Sequence, residues 1–441
     1  MTASPHLTDD ERFPLIPESS RGLLARLREH EAAPRYNMAC GDRLTGEGLR
    51  RVRAFEESLV RPVWNEGEVP AWVREFAATA LLQVPIYRKR GGRADAFEAL
   101  PTSTRADIAR EPWSFVPDDQ PLDDLIVYYT AGASGTPMNV LAHPEAAAKR
   151  LPLFRAALRE RGVSLDGGLD RVSIAFVCSQ RTTLTYASLS SVLGGAGHVK
   201  VNLNPGEWRH PDDRARFLDD CAPEIYTGDP LSFADLAALP QTTRPRALIS
   251  SALALLPALR ARLEARFACP VIDLYSLCES GPIGVSHGEG FRVLPSDLFV
   301  EVLDGDGTSV APGKRGEVTL TGGRNPFLPL LRYRTGDWAR LEHRADGVYL
   351  LDLEGRAPVV FRAVDGRAIN NIDVTTVLRP FALARFAVHQ QGDSSLRVRL
   401  NSGDDIAPVA AALRSIFGTD QAIAFESFEP GEWKVVPYAT P

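Results

Sequence analysis

Strand-like and helix-like segments alternate through the middle of this chain. Apolar, β-branched runs predict strands at Arg171–Val177, Glu224–Gly228, Arg246–Ser250 and Val271–Tyr275, and amphipathic patterns predict helices at Pro144–Arg161, Arg214–Cys221 and Leu253–Phe267. Residues 188–203 are predicted to form a helix, a glycine turn and a strand. This alternation is typical of α/β proteins with a largely parallel sheet.

Two other patterns flank the α/β region. Residues 21–82 have apolar positions at helical spacing, whereas residues 291–354 form short alternating stretches separated by Gly, Asp and Pro turns, which indicates antiparallel strands. Residues 357–441 mix both patterns, as a small α+β domain does. A chain of 441 residues exceeds what one core usually serves. We therefore predict a large domain over residues 1–354, with a helical lead at 1–120, and a small C-terminal domain over 355–441.

Composition excludes several classes of protein. Hydrophobic residues make up 44% of the chain, charged residues 24%, and the net charge is −6 with both signs interspersed, which predicts no nucleic-acid or membrane partner. No stretch approaches the length of a membrane span, and the first residues carry no apolar leader. The five cysteines show no zinc spacing and are expected to be reduced thiols. These features predict a soluble, cytoplasmic protein, and a homodimer is left open.

The stretch LIVYYTAGASGTPM, residues 125–138, is the first candidate site. Leu125–Tyr129 is predicted to be a buried strand, and the small and hydroxylated residues that follow can turn backbone N–H groups towards one point. Thr130, Ser134 and Thr136 add hydroxyl donors. Such a concave row of donors suits a polyphosphate. It is not a P-loop, because Pro137 stands where that motif has lysine, and an ordinary tight turn is the alternative.

Two acidic residues follow predicted strands. Glu279, in YSLCESGP, is predicted on a loop at the carboxyl end of a strand, where α/β sheets bind ligands, and its carboxylate suits Mg²⁺ bound to phosphates. Asp337, in LRYRTGD, follows a predicted glycine turn and can accept both hydroxyl protons of a ribose. For Glu279 the alternative is a solvated loop glutamate, and for Asp337 it is an ordinary turn. Arg334, in the same motif as Asp337, is either a solvated residue or a charge partner.

Two basic residues lie nearer the C-terminus. Arg356, in Glu354-Gly355-Arg356, can bind nucleotide oxygens with its fork of donors, or it is a surface arginine beside a hinge. Lys434, in PGEWKVVPY, can stabilise charge on a transferring phosphate, or it is a solvated lysine.

In this order, the motifs resemble the adenylate-forming superfamily of acyl-CoA synthetases, adenylation domains and luciferases, and most of all its phenylacetate–CoA ligase-like branch. Residues 130–137 are similar to its phosphate loop, YSLCE to its YGxTE motif, RYRTGD matches intact, and GR at 355–356 begins its hinge motif. The resemblance implies that sheets flanked by helices, with an antiparallel β subdomain, carry a small mobile α+β domain. It implies nucleotide binding by Thr130, Gly132, Ser134, Gly135, Thr136, Tyr275, Asp337 and Arg356. It also implies a Mg²⁺ ligand at Glu279 and a catalytic lysine at Lys434.

The resemblance implies an ATP-dependent ligase that adenylates a small aromatic carboxylic acid, releases pyrophosphate and transfers the acyl group to an acceptor such as coenzyme A. Tyr129, Phe176 and Tyr186 are candidates for the acid pocket, although each could be plain core. Two motifs depart from the family: Ala131 and Ala133 replace hydroxyl residues of the loop, and the hinge is followed by uncharged residues 357–359. These departures leave two alternatives open. One is a variant that activates nitrite with ATP to diazotise an aryl amine in natural-product biosynthesis, and the other is a non-catalytic nucleotide-binding protein.

Overall fold

The computed structural model describes residues 7–59, 64–131, 137–294, 297–355, 359–429, 432 and 435–441, without the side chains of residues 131 and 137. The chain packs as two compact units. Unit 1 comprises Met1–Pro17, Asp42–Gly162 and Leu274–Ala357, and unit 2 comprises Glu18–Gly41, Val163–Asp273 and Pro358–Pro441. Strand Val271–Leu277 is divided between them: its first three residues belong to unit 2 and its last four to unit 1.

Unit 1 combines short helices with a mainly antiparallel sheet. Its α-helices are Asp9–Arg12, Gly46–Glu57, Ala71–Gln83, Pro85–Arg90, Arg105–Arg110, Pro144–Ala148 and Arg150–Arg159, with 3-10 turns at Ala94–Ala99 and Pro112–Phe115. Its strands pair in the order Leu298–Leu303, Arg315–Gly322, Leu330–Arg344, Gly347–Glu354, Gly290–Val293, Gly281–His287 and then residues 274–277. The antiparallel region predicted for residues 291–354 is confirmed, and Ser103–Thr104 adds a parallel pair along Leu330–Arg344.

The strand at residues 126–131 belongs to a separate two-stranded sheet. Ile126–Ala131 pairs antiparallel with Pro137–Ala142, and we call this pair the hairpin. The second strand was not predicted, and the prediction that Leu125–Tyr129 is buried is wrong, because these residues are exposed or only partly buried. Val127 and Tyr129 are 51% and 69% exposed, because alternate residues of a strand point to opposite faces and only the other face of this strand is partly covered.

The long strand Leu330–Arg344 departs from the predicted strand and turn. RYRTGD lies inside this strand rather than at its end, so Asp337 does not follow a turn. Its pairing with Arg315–Gly322 shifts register twice, and Arg332 and Gly336 adopt φ of 44° and 83°. A bulge of this kind bends a strand without ending it, and Gly336 takes the positive φ without steric cost.

Unit 2 is built on a largely parallel sheet. Its α-helices are Gly22–Glu29, Asp213–Cys221, Pro230–Ala238, Pro257–Phe267, Asn371–Leu378 and Ile406–Phe417, with 3-10 turns at Glu18–Ser20 and Pro205–Glu207. The main sheet runs from residues 271–273 through Ala247–Ser250, Ile225–Gly228, Val172–Cys178 and Ala196–Asn202, all parallel, to the antiparallel strand Tyr186–Ser190.

The helix predicted at the start of residues 188–203 is wrong. Residues up to Ser190 form strand Tyr186–Ser190, paired with Ala196–Asn202 through a turn in which Gly194 and Gly195 have φ of 65° and 85°. Serine is a weak helix former, so pairing with a neighbouring strand decides the structure of this short segment.

The last part of the chain has its own small sheet within unit 2. Strands Ile423–Ser427, Leu396–Leu400, Phe386–Gln390 and Tyr438–Ala439 pair in that order, and Val360–Arg362 forms a separate pair with Ala368–Asn370. A shared core joins these strands to both C-terminal helices and includes Leu256. The predicted α/β fold with a small C-terminal α+β part is confirmed, whereas the division at residues 354 and 355 and the mobility of the small part stay predictions.

Within the described residues, no helix is both long and apolar enough to cross a bilayer. The five cysteines are all free thiols.

Candidate active site

Two tyrosine–carboxylate pairs form the centre of the candidate site in unit 1. The Tyr275 hydroxyl donates to Asp337 Oδ2 at 2.8 Å, and the Tyr333 hydroxyl donates to Glu279 Oε1 at 2.5 Å. Tyr275 lies on strand Val271–Leu277, Glu279 in the turn after it, and Tyr333 and Asp337 on the long strand. Two segments far apart in sequence are thus joined through residues of the YSLCE and RYRTGD motifs.

The turn that carries Glu279 is held by a buried arginine. Arg324 donates to the carbonyls of Ser280, at 3.5 Å, and of Pro282, and its Nε pairs with Asp297 at 3.1 Å. Glu279 itself is only 5% exposed. Since a buried carboxylate is costly without partners, the Tyr333 hydrogen bond and the fixed turn together stabilise its position.

The segment around Asp337 is fixed by its neighbours on the long strand. The Asp337 N–H donates to Thr335 Oγ1 at 3.1 Å, and the Gly336 N–H donates to Glu317 Oε1 at 2.9 Å. Glu317 also pairs with Arg334 at 2.6 Å, so Arg334 is a charge partner rather than a solvated residue. A Cβ on Gly355 would stand 3.3 Å from Asp337 Oδ1, which brings the first hinge residue against this carboxylate.

Burial keeps both tyrosines protonated. It raises the pKa of Tyr275 well above its usual value, and the Asp337 charge adds to this increase. Burial and then the Glu279 charge raise the pKa of Tyr333 in the same way. Both phenols therefore act as hydrogen-bond donors to the carboxylates at any physiological pH.

Arg105 connects this centre to the hairpin. Thr104 caps helix Arg105–Arg110, and the Ser103–Thr104 strand places it beside Tyr333 and Arg334 of the long strand. From there the Arg105 guanidinium donates to Thr130 Oγ1 at 2.6 Å and Thr130 O at 3.4 Å. The first residue of the predicted phosphate loop is therefore bound to a cation.

Arg150 approaches the same region from helix Arg150–Arg159. Its guanidinium carbon lies 5.8 Å from the centre of the Tyr128 ring, and its Cγ lies 3.9 Å from where a Cβ on Gly281 would stand. Burial raises the pKa of the Cys278 thiol, while the charges of Arg150 and Arg105 and a hydrogen bond from Arg150 oppose this increase. Both guanidiniums are thus close to the residue that precedes Glu279.

Glu279 is the candidate magnesium ligand of this site. The described residues contain no group of three or more His, Cys, Asp or Glu side chains that could hold a metal. Mg²⁺ bound to a nucleotide is usually held by one or two carboxylates together with phosphate oxygens and waters. Glu279 fits that role, with the phosphates as the other ligands.

The structure brings together four of the predicted residues, Thr130, Tyr275, Glu279 and Asp337, in unit 1. Six others lie outside the described residues: Gly132, Ser134, Gly135, Thr136, Arg356 and Lys434. Of the pocket candidates, Tyr129 projects from the exposed face of the hairpin strand, and Phe176 and Tyr186 belong to unit 2, where Lys200 covers the Phe176 ring at 4.9 Å and His198 packs on Tyr186. The roles assigned to all of these residues stay predictions.

Sequence reasoning missed the residues that hold the predicted ones. Tyr333, Arg324, Arg105 and Arg150 were given no role, although Tyr333 lies inside RYRTGD and Arg105 follows the capping residue Thr104. Only Tyr333 had a signal in the sequence, its place in the motif. The contacts of the three arginines depend on segments distant in sequence.

Comparisons with known proteins give distant relatives. The sequence matches no family model. It is 23% identical over 288 residues to phenylacetate-coenzyme A ligase of Escherichia coli strain K12, covering 58% of this chain and 63% of that protein. It is 25% identical over 367 residues to sulfoacetate–CoA ligase of Cupriavidus necator, covering 77% and 67%. The chain thus spans slightly under two thirds of the length of the E. coli relative.

The fold resembles that of a solved ligase. A crystal structure of 2-hydroxyisobutyryl-CoA ligase in the postadenylation state, in complex with 2-HIB-AMP, superimposes with a TM-score of 0.59 at 15% identity. The match covers 83% of this chain and 86% of that one. At this identity the likeness shows a common fold.

Proposed function

We propose, from its distant homology to phenylacetate–CoA and sulfoacetate–CoA ligases of the adenylate-forming CoA ligase superfamily, that this chain is an ATP-dependent, AMP-forming acid ligase. The observation that carries the proposal is the pairing of Tyr275 with Asp337 and of Tyr333 with Glu279. These two pairs support a nucleotide site because unit 1 then holds one carboxylate suited to ribose hydroxyls, Asp337, and one suited to a metal ion, Glu279.

Each residue has a stated task in this reaction. Asp337 accepts hydrogen bonds from the ribose hydroxyls, and Tyr275 holds the Asp337 carboxylate in place. Glu279 holds Mg²⁺, which neutralises phosphate charge when bound. The loop at 130–137 receives the phosphates, and Lys434 stabilises the oxygens of the α-phosphate and the acid.

The chemistry follows from the poor reactivity of a carboxylate. Its oxygen attacks the α-phosphorus of ATP, the bond to the β-phosphate oxygen breaks, and pyrophosphate leaves. AMP is then a good leaving group from the acyl-adenylate, so the thiol of coenzyme A can displace it. Phosphoryl transfer of this kind depends mainly on positioning and charge stabilisation. The two fixed carboxylates serve positioning, and a cation such as Mg²⁺ or Lys434 would supply the charge stabilisation.

The substrate is proposed as a small carboxylic acid, with aromatic acids tested first, and coenzyme A as the acceptor. Phenylacetate and sulfoacetate, the acids in the names of the two relatives, belong in the same panel of test acids. Nitrite also belongs there, with an aryl amine and a coupling dye, because it tests the diazotising alternative.

The decisive measurement is acid-dependent exchange of labelled pyrophosphate into ATP. We expect exchange with at least one acid of the panel, dependent on Mg²⁺. If no acid and no nitrite supports exchange while ATP binds, the non-catalytic alternative replaces the ligase. If neither ATP nor AMP binds, the site assignment itself is wrong.

Variants of the two carboxylates test the site directly. We expect Glu279→Ala and Asp337→Ala each to abolish exchange. Glu289→Ala is the matched control, because Glu289 is an exposed residue of a turn in the same unit and should exchange like the unaltered protein. Normal exchange in both site variants would contradict the assignment.

A further inference from the structure

Two guanidiniums lie along one face of the hairpin strand. Tyr128 and Thr130 are two residues apart on Ile126–Ala131, so their side chains share a face. Arg150 lies over the Tyr128 ring and Arg105 donates to the Thr130 hydroxyl. Both arginines are partly buried and come from different helices, so neither reaches this face by local sequence alone.

The Arg150 guanidinium contacts an aromatic ring and a thiol but forms no ion pair among the described residues. Among the described residues, no carboxylate oxygen lies within 4.0 Å of an Arg150 guanidinium nitrogen. Glu279 accepts a hydrogen bond from the neutral Tyr333 hydroxyl. A partly buried guanidinium without a carboxylate partner is unfavourable unless an anion occupies the space next to it.

The adjacent loop has fewer donors than a phosphate loop of this type. Ala131 and Ala133 stand where the resembling motif has hydroxyl residues, and Met138 follows Pro137 without any basic residue nearby in sequence. A chain that binds a triphosphate with this loop needs donors from elsewhere. Guanidinium groups suit that purpose, because their fork of N–H donors matches phosphate oxygens.

We propose that Arg105 and Arg150 form a guanidinium pair that binds the phosphates of the nucleoside triphosphate beside Thr130. The inference rests on the proposed function and deepens it. Arg105 is held beside the start of the loop by its hydrogen bonds to Thr130 and places its positive charge next to the phosphates. Arg150 supplies the second cation next to Glu279, on the side of Tyr128.

The test compares ATP, pyrophosphate and adenosine binding by calorimetry for Arg105→Gln, Arg150→Gln and the unaltered protein. We expect ATP and pyrophosphate affinity to fall by about 10-fold or more in each variant, as loss of a charge-assisted hydrogen bond predicts, with adenosine affinity unchanged. Arg150→Lys should recover part of the loss, since it keeps the charge without the fork. Arg155→Gln is the matched control, because Arg155 lies on the same helix and pairs with Glu56.

Three outcomes overturn the proposal without affecting the proposed function. Equal losses for adenosine and ATP would mean that the arginines only support the fold. Unchanged ATP affinity with a raised KM for the acid would assign the pair to the acid. Unchanged binding of every ligand would remove the pair from the site. Failure of the unaltered protein to bind ATP or AMP at all would instead overturn the proposed function.

Discussion

The Tyr333 hydroxyl is the most sharply defined contact of a single residue in the candidate site. It donates to Glu279 Oε1 at 2.5 Å, and Tyr333 is fully buried. Replacing it with Phe keeps the ring and removes only the donor. We expect Tyr333→Phe to lower the rate of pyrophosphate exchange by roughly 10- to 100-fold, the loss typical of a hydrogen bond to a buried charge, and to raise the Mg²⁺ concentration needed for half-maximal rate.

A second tyrosine in the same unit provides the control for this change. The Tyr349 hydroxyl donates to Asp346 at 2.7 Å, near the start of strand Gly347–Glu354 and at the opposite end of that strand from Gly355. Tyr349→Phe should therefore leave the exchange rate and its Mg²⁺ dependence unchanged. A Tyr333→Phe protein with an unaltered Mg²⁺ dependence would show that the hydroxyl does not position a metal ligand.

The motif residues Glu279 and Asp337 could be predicted from the sequence, because their roles depend on short local patterns. Their partners could not. Arg324 stabilises the Glu279 turn by donating to backbone carbonyls. No pattern in the sequence distinguishes Arg324 from other arginines of the same region. Long-range contacts of this type require the fold, so the sequence predicts which residues act and leaves open what holds them.

Among the elements, strand Val271–Leu277 carries a buried carboxyl, Asp273, in the part that belongs to unit 2. Burial raises the pKa of Asp273 to about 7, and the Arg260 charge opposes this increase. Because the folded pKa exceeds the ordinary value of 3.8, the carboxyl stabilises the fold most below about pH 4, and that stability is lost as pH rises through 7.

Asp273→Asn should remove this pH dependence. From pH 5 to pH 8 the melting temperature of the unaltered protein should fall by more than that of Asp273→Asn, because the variant has no carboxyl at position 273 that can ionise. Thermal unfolding monitored by circular dichroism at the two pH values measures the difference. Asp420→Asn, an exposed position in unit 2, serves as the control. Parallel pH profiles for Asp273→Asn and the unaltered protein would contradict the prediction.

Two strands show where element prediction fails. Pro137–Ala142 was missed because a proline and a polar residue interrupt its apolar pattern, yet it pairs with Ile126–Ala131 over six residue pairs. Residues 188–190, the end of strand Tyr186–Ser190, are extended where a helix was expected, since pairing with Ala196–Asn202 outweighs local preference. In both cases the partner strand decides the structure, and pairing is not visible in a short segment.

At the scale of the whole molecule, the fold class could be predicted from the sequence, and each of the two compact units is assembled from separate segments of the chain. Residues 18–41 and 163–273 pack in the same unit as residues 358–441, although they are separated from them in sequence. The C-terminal core even includes Leu256 from the middle of the chain. Hydrophobic periodicity indicates which face of an element is buried, but not which distant element covers it.

In the proposed reaction, nucleotide binding and adenylation depend on different residues of the chain. Replacing Lys434 tests whether the two can be separated. If Lys434 stabilises only the reacting oxygens, Lys434→Ala should lose acid-dependent exchange while ATP still raises the melting temperature, because Tyr275, Glu279 and Asp337 remain in unit 1. ATP at 100 times its Kd should stabilise both proteins by about 2.7 kcal/mol. Lys314→Ala, at an exposed turn, is the matched control and should keep both properties. Exchange that persists in Lys434→Ala would assign the chemistry to another cation, and loss of ATP stabilisation would make Lys434 a nucleotide-binding residue instead.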